Sequence, residues 1–225
     1  MTSAINYAKA SERYMYTYLK LEKLLQNNPQ IDTIFLQYAP TDMWKNTDDK
    51  YFRHSEQIAF AALYWPLFRF AEWNLLKSDF INIQNVIYPR LRESYNWNKK
   101  DYVSIQGNFS GLFDCFDTIA DFPKKTESQM NRGYMINYCY CRKIINLCNQ
   151  YNVKLYFIFM PVWRHYISYD VNYYFDAYNK YFNDVELLDF HDFEMDLCER
   201  RDAHHLNYYG ATRFTKFLQK EYGIR

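Results

Sequence analysis

The stretch VKLYFIFM, from Val153 to Met160, decides the fold because its apolar and aromatic residues occupy both alternating sets of positions and stop at Pro161. A strand that is apolar on both faces is typical of a parallel sheet covered on both sides. The segment before it, from Ile136 to Tyr151, has its apolar residues at helical spacing. This order predicts a helix that leads into a buried strand.

Two other short runs predict strands of the same kind, IDTIFLQY from Ile31 to Tyr38 and VELLDF from Val185 to Phe190. Helical patterns stand before, between and after the three strands, at 14–25, 136–151, 172–182 and 211–222. Strands separated by helices of this length predict right-handed crossovers and parallel pairing. We expect an α/β fold, a three-layer α/β/α sandwich with a parallel sheet of flavodoxin-like type.

The composition predicts one globular domain over residues 1–225. Of the 225 residues, 49% are hydrophobic and 24% are charged, a balance that excludes a disordered chain. The segment at about 77–130 is less regular, and we interpret it as an insertion over the carboxyl ends of the strands. A formal net charge of +1 gives no broad basic field, so no nucleic-acid partner is expected.

The most apolar run, Ile58 to Leu76, fails as a membrane span because Arg69, Glu72 and Pro66 interrupt it. It predicts a buried or partner-facing aromatic helix. The first residues show no signal peptide. Localisation stays open: cell envelope or extracytoplasmic if a signal or anchor precedes Met1, and cytoplasmic otherwise.

Five cysteines with no CxxC pair argue against a disulfide framework, and we expect buried free thiols. Cys139 and Cys141 lie two apart on a predicted helix, so they face in different directions. His191, His204 and His205 have no recurring ligand spacing, because two of them are adjacent. The sequence therefore predicts no metal site.

The segment RDAHHLNYYGATRFTKFL, residues 201–218, places Asp202 three positions before His205. At that spacing the carboxylate can reach one imidazole nitrogen, fix the tautomer and stabilise the imidazolium when the other nitrogen takes a proton. Asp202 would orient and His205 would be the base, with His204 the less favoured base. The structural alternative is a polar loop before a helix capped by Asn207.

The longer pattern DxxHLNxxGAxxF resembles the last conserved block of the SGNH (GDSL-type) hydrolases. The resemblance is strongest to bacterial members that act on acylated surface glycans and related cell-envelope substrates. It implies an esterase or acyltransferase that takes an acylated glycan or a small ester and needs no metal or organic cofactor.

Other segments resemble further blocks of that family in the same order. SERYMYTYLKLEKLLQNNPQIDTIFLQYAPTDMW is similar to the second and third blocks. The resemblance implies that the backbone N–H of Ser11 and the residue Thr41, which replaces the usual asparagine, supply the oxyanion hole. FIFMPVW is similar to the segment that lines the family's pocket. Asp42, Trp163 and Asn207 are the implied substrate-binding residues.

The family's first block, a strand followed by a GDS turn that carries the nucleophilic serine, has no counterpart here, and Ser55, Ser104 and Ser110 lack its context. We expect that strand and serine to lie upstream of Met1, and this chain alone to be inactive. Without the first strand, we expect strained packing near Ile5 and 31–38, or a partner that donates a strand. A homo-oligomer is the alternative expectation to a strand-donating partner.

A second hypothesis is a non-catalytic module that binds carbohydrate or protein. Aromatic side chains would then stack on sugar rings without chemistry, and Trp44, Trp97 and Trp163 would form the platform. A core position for each tryptophan is an equally good interpretation. The presence of ester turnover would favour the hydrolase, and its absence would favour the binding module.

Overall fold

A computed structural model describes residues 5–8, 12–39, 60–61, 63–77, 135–163, 171–203 and 205–223. Several of the predictions above lie outside these residues, namely those for the oxyanion-hole residues Ser11 and Thr41, for Asp42, Trp44, Trp97 and His204, and for the insertion at about 77–130 beyond Lys77.

The described residues form a mixed α/β fold. In chain order the elements are α1 (Tyr14–Asn27), β1 (Thr33–Gln37), a 3-10 turn (Trp65–Leu67), α2 (Phe70–Lys77), α3 (Met135–Gln150), β2 (Lys154–Phe159), α4 (Val171–Tyr181), β3 (Glu186–Asp189), a second 3-10 turn (Leu197–Glu199) and α5 (Tyr208–Tyr222).

The three strands form an open sheet in the order β1-β2-β3, and both pairs are parallel. This confirms the α/β fold and the parallel sheet. Each strand is shorter than its apolar run by one or two residues at each end. Residues just outside the strands still bond to the ladder: the Tyr38 N–H donates to the Ile158 carbonyl at 3.0 Å.

Alternate residues of β2 belong to two hydrophobic clusters. Leu155, Phe157 and Phe159 pack in a larger cluster with buried residues of α1, α3 and α4. Ile158 packs in a smaller cluster that includes Phe214 of α5. Because successive side chains of a strand point to opposite faces, the two clusters lie on opposite faces of the sheet. This is why the β2 sequence is apolar at both sets of positions.

Aromatic rings join the end of β1 to α4. The Tyr38 side chain is fully buried and stacks on Phe157, with ring centroids 4.8 Å apart. Tyr174 packs against the same ring, and its hydroxyl donates to the Tyr38 carbonyl at 3.1 Å. Such pairs contribute about 0.5–1.5 kcal/mol each beyond the area they bury. They hold the carboxyl end of β1 beside that of β2.

The strain expected near residues 31–38 is not seen in the backbone. All of β1 pairs in register with β2, from Thr33 with Lys154 to Gln37 with Ile158. Among the described residues other than glycine, positive φ occurs at Asn152 alone. The reason is that β2 supplies hydrogen-bond partners along one whole edge of β1, so β1 pairs without distortion of its backbone. Ile5 is 60% exposed and makes no part of the core.

The apolar run from Ile58 to Leu76 is broken where the sequence predicts it, because Pro66 lies in the 3-10 turn Trp65–Leu67. Glu72 of α2 is buried and accepts hydrogen bonds from the Tyr140 hydroxyl and from the Arg69 N–H, at 2.9 Å for the latter. Burial opposes its charge, but these hydrogen bonds outweigh burial and lower the pKa of Glu72. Within the described residues, no helix has both the length and the apolar character needed to cross a bilayer.

Of the five cysteines, the prediction is correct for two and wrong for two, and Cys115 lies outside the described residues. Cys141 and Cys148 are buried free thiols, whereas Cys139 and Cys198 are free but exposed. Cys139 and Cys141 are two positions apart on α3, which turns one of them to solvent. Cys198 is in the short 3-10 turn, where few side chains are covered.

Candidate functional site

The candidate site is a short loop between β3 and α5. Arg200 and Leu206 form an antiparallel bridge, and inside it the Arg201 N–H donates to the His205 carbonyl at 3.0 Å. The loop is therefore a small hairpin closed by its own backbone, with Asp202 near its tip. This closure is why residues three positions apart in the chain face each other.

The Asp202 carboxylate contacts both the backbone N–H and the imidazole ring of His205. The carboxylate accepts from the His205 backbone N–H at 2.8 Å, and both of its oxygens are 2.9 Å from Nδ1. The side chains are 41% and 61% exposed for Asp202 and His205, so their pairing adds little to stability. The contact fixes Nδ1 as the nitrogen that faces the carboxylate, which leaves Nε2 for chemistry.

The first turn of α5 anchors the loop. The Asn207 side chain caps the helix by accepting from the Tyr209 and Gly210 N–H groups at 3.0 and 3.1 Å, which confirms the predicted cap. Its Nδ2 donates to the Cys198 carbonyl at 2.6 Å. A Cβ at Gly210 would lie 2.1 Å from the Glu199 carbonyl oxygen, so this close approach requires glycine. Helix and loop are joined by backbone contact.

The chain that follows β2 anchors the other side of the loop. The Trp163 N–H donates to the Ala203 carbonyl at 2.9 Å, and the Val162 N–H donates to the His191 carbonyl at 3.3 Å. The residues after β2 thus reach both the end of β3 and the hairpin. Open parallel sheets bind ligands at this edge, outside the carboxyl ends of their strands.

The structure brings four of the predicted site residues to this region, Asp202, His205, Trp163 and Asn207. Asp202 and His205 are in direct contact, and Trp163 is bonded to their loop. Asn207 is buried, and its amide is used for the helix cap and for Cys198. Its substrate-binding role stays a prediction, because its described contacts are structural.

A second histidine between carboxylates lies at the end of β3. His191 Nδ1 is 2.6 Å from Asp189, and Nε2 is 3.0 Å from Asp192. Its ring stacks on Phe159 with a centroid distance of 5.3 Å. Both ring nitrogens face carboxylates, so His191 is less suited than His205 to take a proton from a nucleophile. Within the described ranges no three His, Cys, Asp or Glu side chains are grouped to hold a metal ion.

Arg200, at the base of the hairpin, is a candidate residue that the sequence does not reveal. It is 2% exposed, and its guanidinium lies over the Trp163 ring, 5.6 Å from the centroid. Burial lowers its pKa, and the nearby Glu199 carboxylate opposes that shift. In CERRDAHH two arginines are adjacent, and no spacing distinguishes the buried one from the exposed one.

Comparisons with protein-family models, with curated proteins and with solved structures each gave no match to this chain.

Proposed function

We propose that this chain is an SGNH-like esterase or acyltransferase domain that acts on acylated glycans or small esters. The observation that carries the proposal is the contact of the Asp202 carboxylate with Nδ1 of His205, in a loop at the carboxyl edge of a parallel sheet. An orienting carboxylate on one imidazole nitrogen is what a general base needs.

In the proposed reaction, a serine hydroxyl attacks the ester carbonyl while Nε2 of His205 takes its proton. Asp202 keeps the ring in place and stabilises the imidazolium. The imidazolium then gives the proton to the departing alcohol, and a water or an acceptor hydroxyl releases the acyl group by the same steps in reverse. The Ser11 N–H and Thr41 would stabilise the oxyanion.

The nucleophile would be the serine of a GDS turn, a motif that these 225 residues do not contain. The strand that carries it would pair with β1, whose described pairing partner is β2 on one edge. A strand from another chain, including a second copy of this one, would fill the same position. With it the fold is a three-layer α/β/α sandwich, an architecture that the two clusters on opposite faces of the sheet support.

The experiment compares this 225-residue chain with the protein expressed from any longer in-frame coding sequence. The longer protein should react with a fluorophosphonate probe and hydrolyse a short-chain aryl ester, and the 225-residue chain should do neither. In the longer protein, His205→Ala and Asp202→Asn should each lower kcat by about 10³-fold or more, because the residues act as a unit.

His191→Ala is the matched control, because His191 is also paired with a carboxylate near the same edge of the sheet. It should keep turnover within a few-fold of the unsubstituted protein. Full activity in His205→Ala would remove the residue from the mechanism. A protein that binds an acylated glycan but hydrolyses no ester would instead be the carbohydrate-binding module.

A further inference from the structure

The buried guanidinium of Arg200 has the Glu199 carboxylate nearby but, among the described residues, lacks hydrogen-bond acceptors for two of its nitrogens. Its Nε and Nη1 groups are buried and donate to no acceptor within the described ranges. With only 2% of the residue exposed, bulk solvent has little access to these groups. A buried charge is costly unless it is paired and hydrogen-bonded, so this guanidinium is suited to an anion from outside.

The acids nearest to Arg200 in the chain already have partners. The Glu199 carboxylate accepts from the Asp196 N–H at 3.0 Å and forms an ion pair with Arg213 of α5. The Asp202 carboxylate binds the backbone and ring of His205. Recruiting either acid to Arg200 would therefore break a contact that shapes the loop.

The surroundings of Arg200 place it beside the proposed catalytic pair. Its guanidinium lies over the Trp163 ring, and the Trp163 N–H is bonded to Ala203, the residue after Asp202. Its backbone pairs with Leu206, the residue after His205. A guanidinium presents its N–H groups in one plane, the geometry that recognises oxyanions.

We propose that Arg200 binds an oxyanion, a carboxylate or a phosphoryl group, carried by the substrate of the Asp202–His205 pair. This rests on the proposed function and deepens it, because it makes the preferred ester one with a negative charge. A bound oxyanion would accept from the Nε–H group or from an Nη1–H group and would be shielded from water, which strengthens the pairing.

Binding to the full 225-residue chain tests the site without any need for turnover. Acetate and phosphate are titrated separately at constant ionic strength, with chloride as the reference salt, and the melting temperature is followed. At least one of the two should raise it saturably, and the responding anion identifies the group. Arg200→Gln should weaken that response by about tenfold or more, as expected for the loss of a charge-assisted hydrogen bond.

Arg201→Gln is the matched control, since Arg201 is the adjacent residue and is exposed. It should keep the response of the unsubstituted chain. Arg200→Met should unfold at an equal or higher denaturant concentration without anion, because it replaces an unpaired buried charge with an apolar side chain. Loss of the anion response in this stably folded variant as well would show that misfolding does not cause it.

Three results would overturn the site: no saturable response to either anion, an unchanged response in Arg200→Gln, or a large loss of stability in Arg200→Met, which would reveal an internal partner. These outcomes are separable from failure of the proposed function. A chain that binds the anion through Arg200 but gives no ester turnover in its longer form retains the site and loses the hydrolase.

Discussion

Gly210 and Glu199 approach so closely that a methyl group on the glycine would lie 2.1 Å from the Glu199 carbonyl oxygen. That carbonyl also accepts from the Asn207 N–H at 3.1 Å. We therefore expect Gly210→Ala to push α5 away from the hairpin and to lower the free energy of unfolding by about 1–3 kcal/mol. Urea denaturation and the amide NMR signals of residues 199–207 measure the two effects.

Gly223→Ala is the control for Gly210→Ala. Gly223 ends α5 with a φ of 64°, and a Cβ there would meet nothing within 4 Å. Its replacement should cost about 1 kcal/mol from conformation alone and leave the signals of residues 199–207 in place. Equal shifts of those signals in both variants would contradict the close-approach argument.

Asn207→Ala should destabilise the protein by about 1–2 kcal/mol, the usual cost of losing a helix cap. The Cys198 carbonyl also loses its donor. Asn207→Asp keeps the acceptor for the cap but not the donor to Cys198, so its midpoint in urea should lie between those of the unsubstituted protein and Asn207→Ala. A midpoint for Asn207→Ala equal to that of the unsubstituted protein would mean that the cap is dispensable.

The lowered pKa of Glu72 predicts that the protein loses stability in acid. Burial disfavours its charge, but hydrogen bonds from Tyr140 and from the Arg69 backbone lower its pKa below the ordinary 4.5. A lowered folded-state pKa stabilises the fold above the unfolded value and loses that contribution as pH falls through the folded value. Glu72→Gln should cost about 1–3 kcal/mol at pH 7 and much less at pH 3.

Urea midpoints at pH 7, 5 and 3 measure this difference. Tyr140→Phe is the paired variant, because it removes the hydroxyl donor and should move the acid loss of stability to higher pH. A difference between Glu72→Gln and the unsubstituted protein that is the same at all three pH values would show that the carboxylate charge is not the cause.

The free thiols should react with iodoacetamide in two classes. Cys139 and Cys198 are exposed, whereas burial raises the pKa of Cys148 to about 11 and also restricts access to it. At pH 8 we expect mass spectrometry to show alkylation of the first two well before Cys141 and Cys148. In concentrated urea all of these thiols should react at similar rates. Equal rates for Cys148 and Cys139 in the native protein would contradict the packing of α3.

The strands and helices follow from the sequence because their apolar residues repeat with clear periods. The run from Val153 to Met160 contains β2, Lys154–Phe159, and the ends differ because apolar character continues after strand pairing stops. The sequence also predicts the contact between Asp202 and His205, because the two residues are close together in the chain. Such local geometry depends little on the rest of the fold.

The sequence does not predict the burial of Arg200, because that burial depends on Trp163, which lies 37 positions away in the chain and follows β2. Arg201 has the same side chain and the opposite environment. The exposure of Cys139 and Cys198 does not follow from the sequence for a related reason: free cysteine is usually buried as a residue type, but tertiary position decides each case.

The anchoring of the 200–206 hairpin has a consequence for anyone who would move it to another scaffold. Most of its contacts lie inside a contiguous piece of chain, yet Ala203 is bonded to Trp163 after β2 and the Glu199 backbone abuts Gly210 of α5. A graft of the hairpin by itself would carry the carboxylate and the imidazole without the contacts that hold the hairpin in place. A transplant that works must bring the tryptophan from the neighbouring strand and the glycine from the helix along with it.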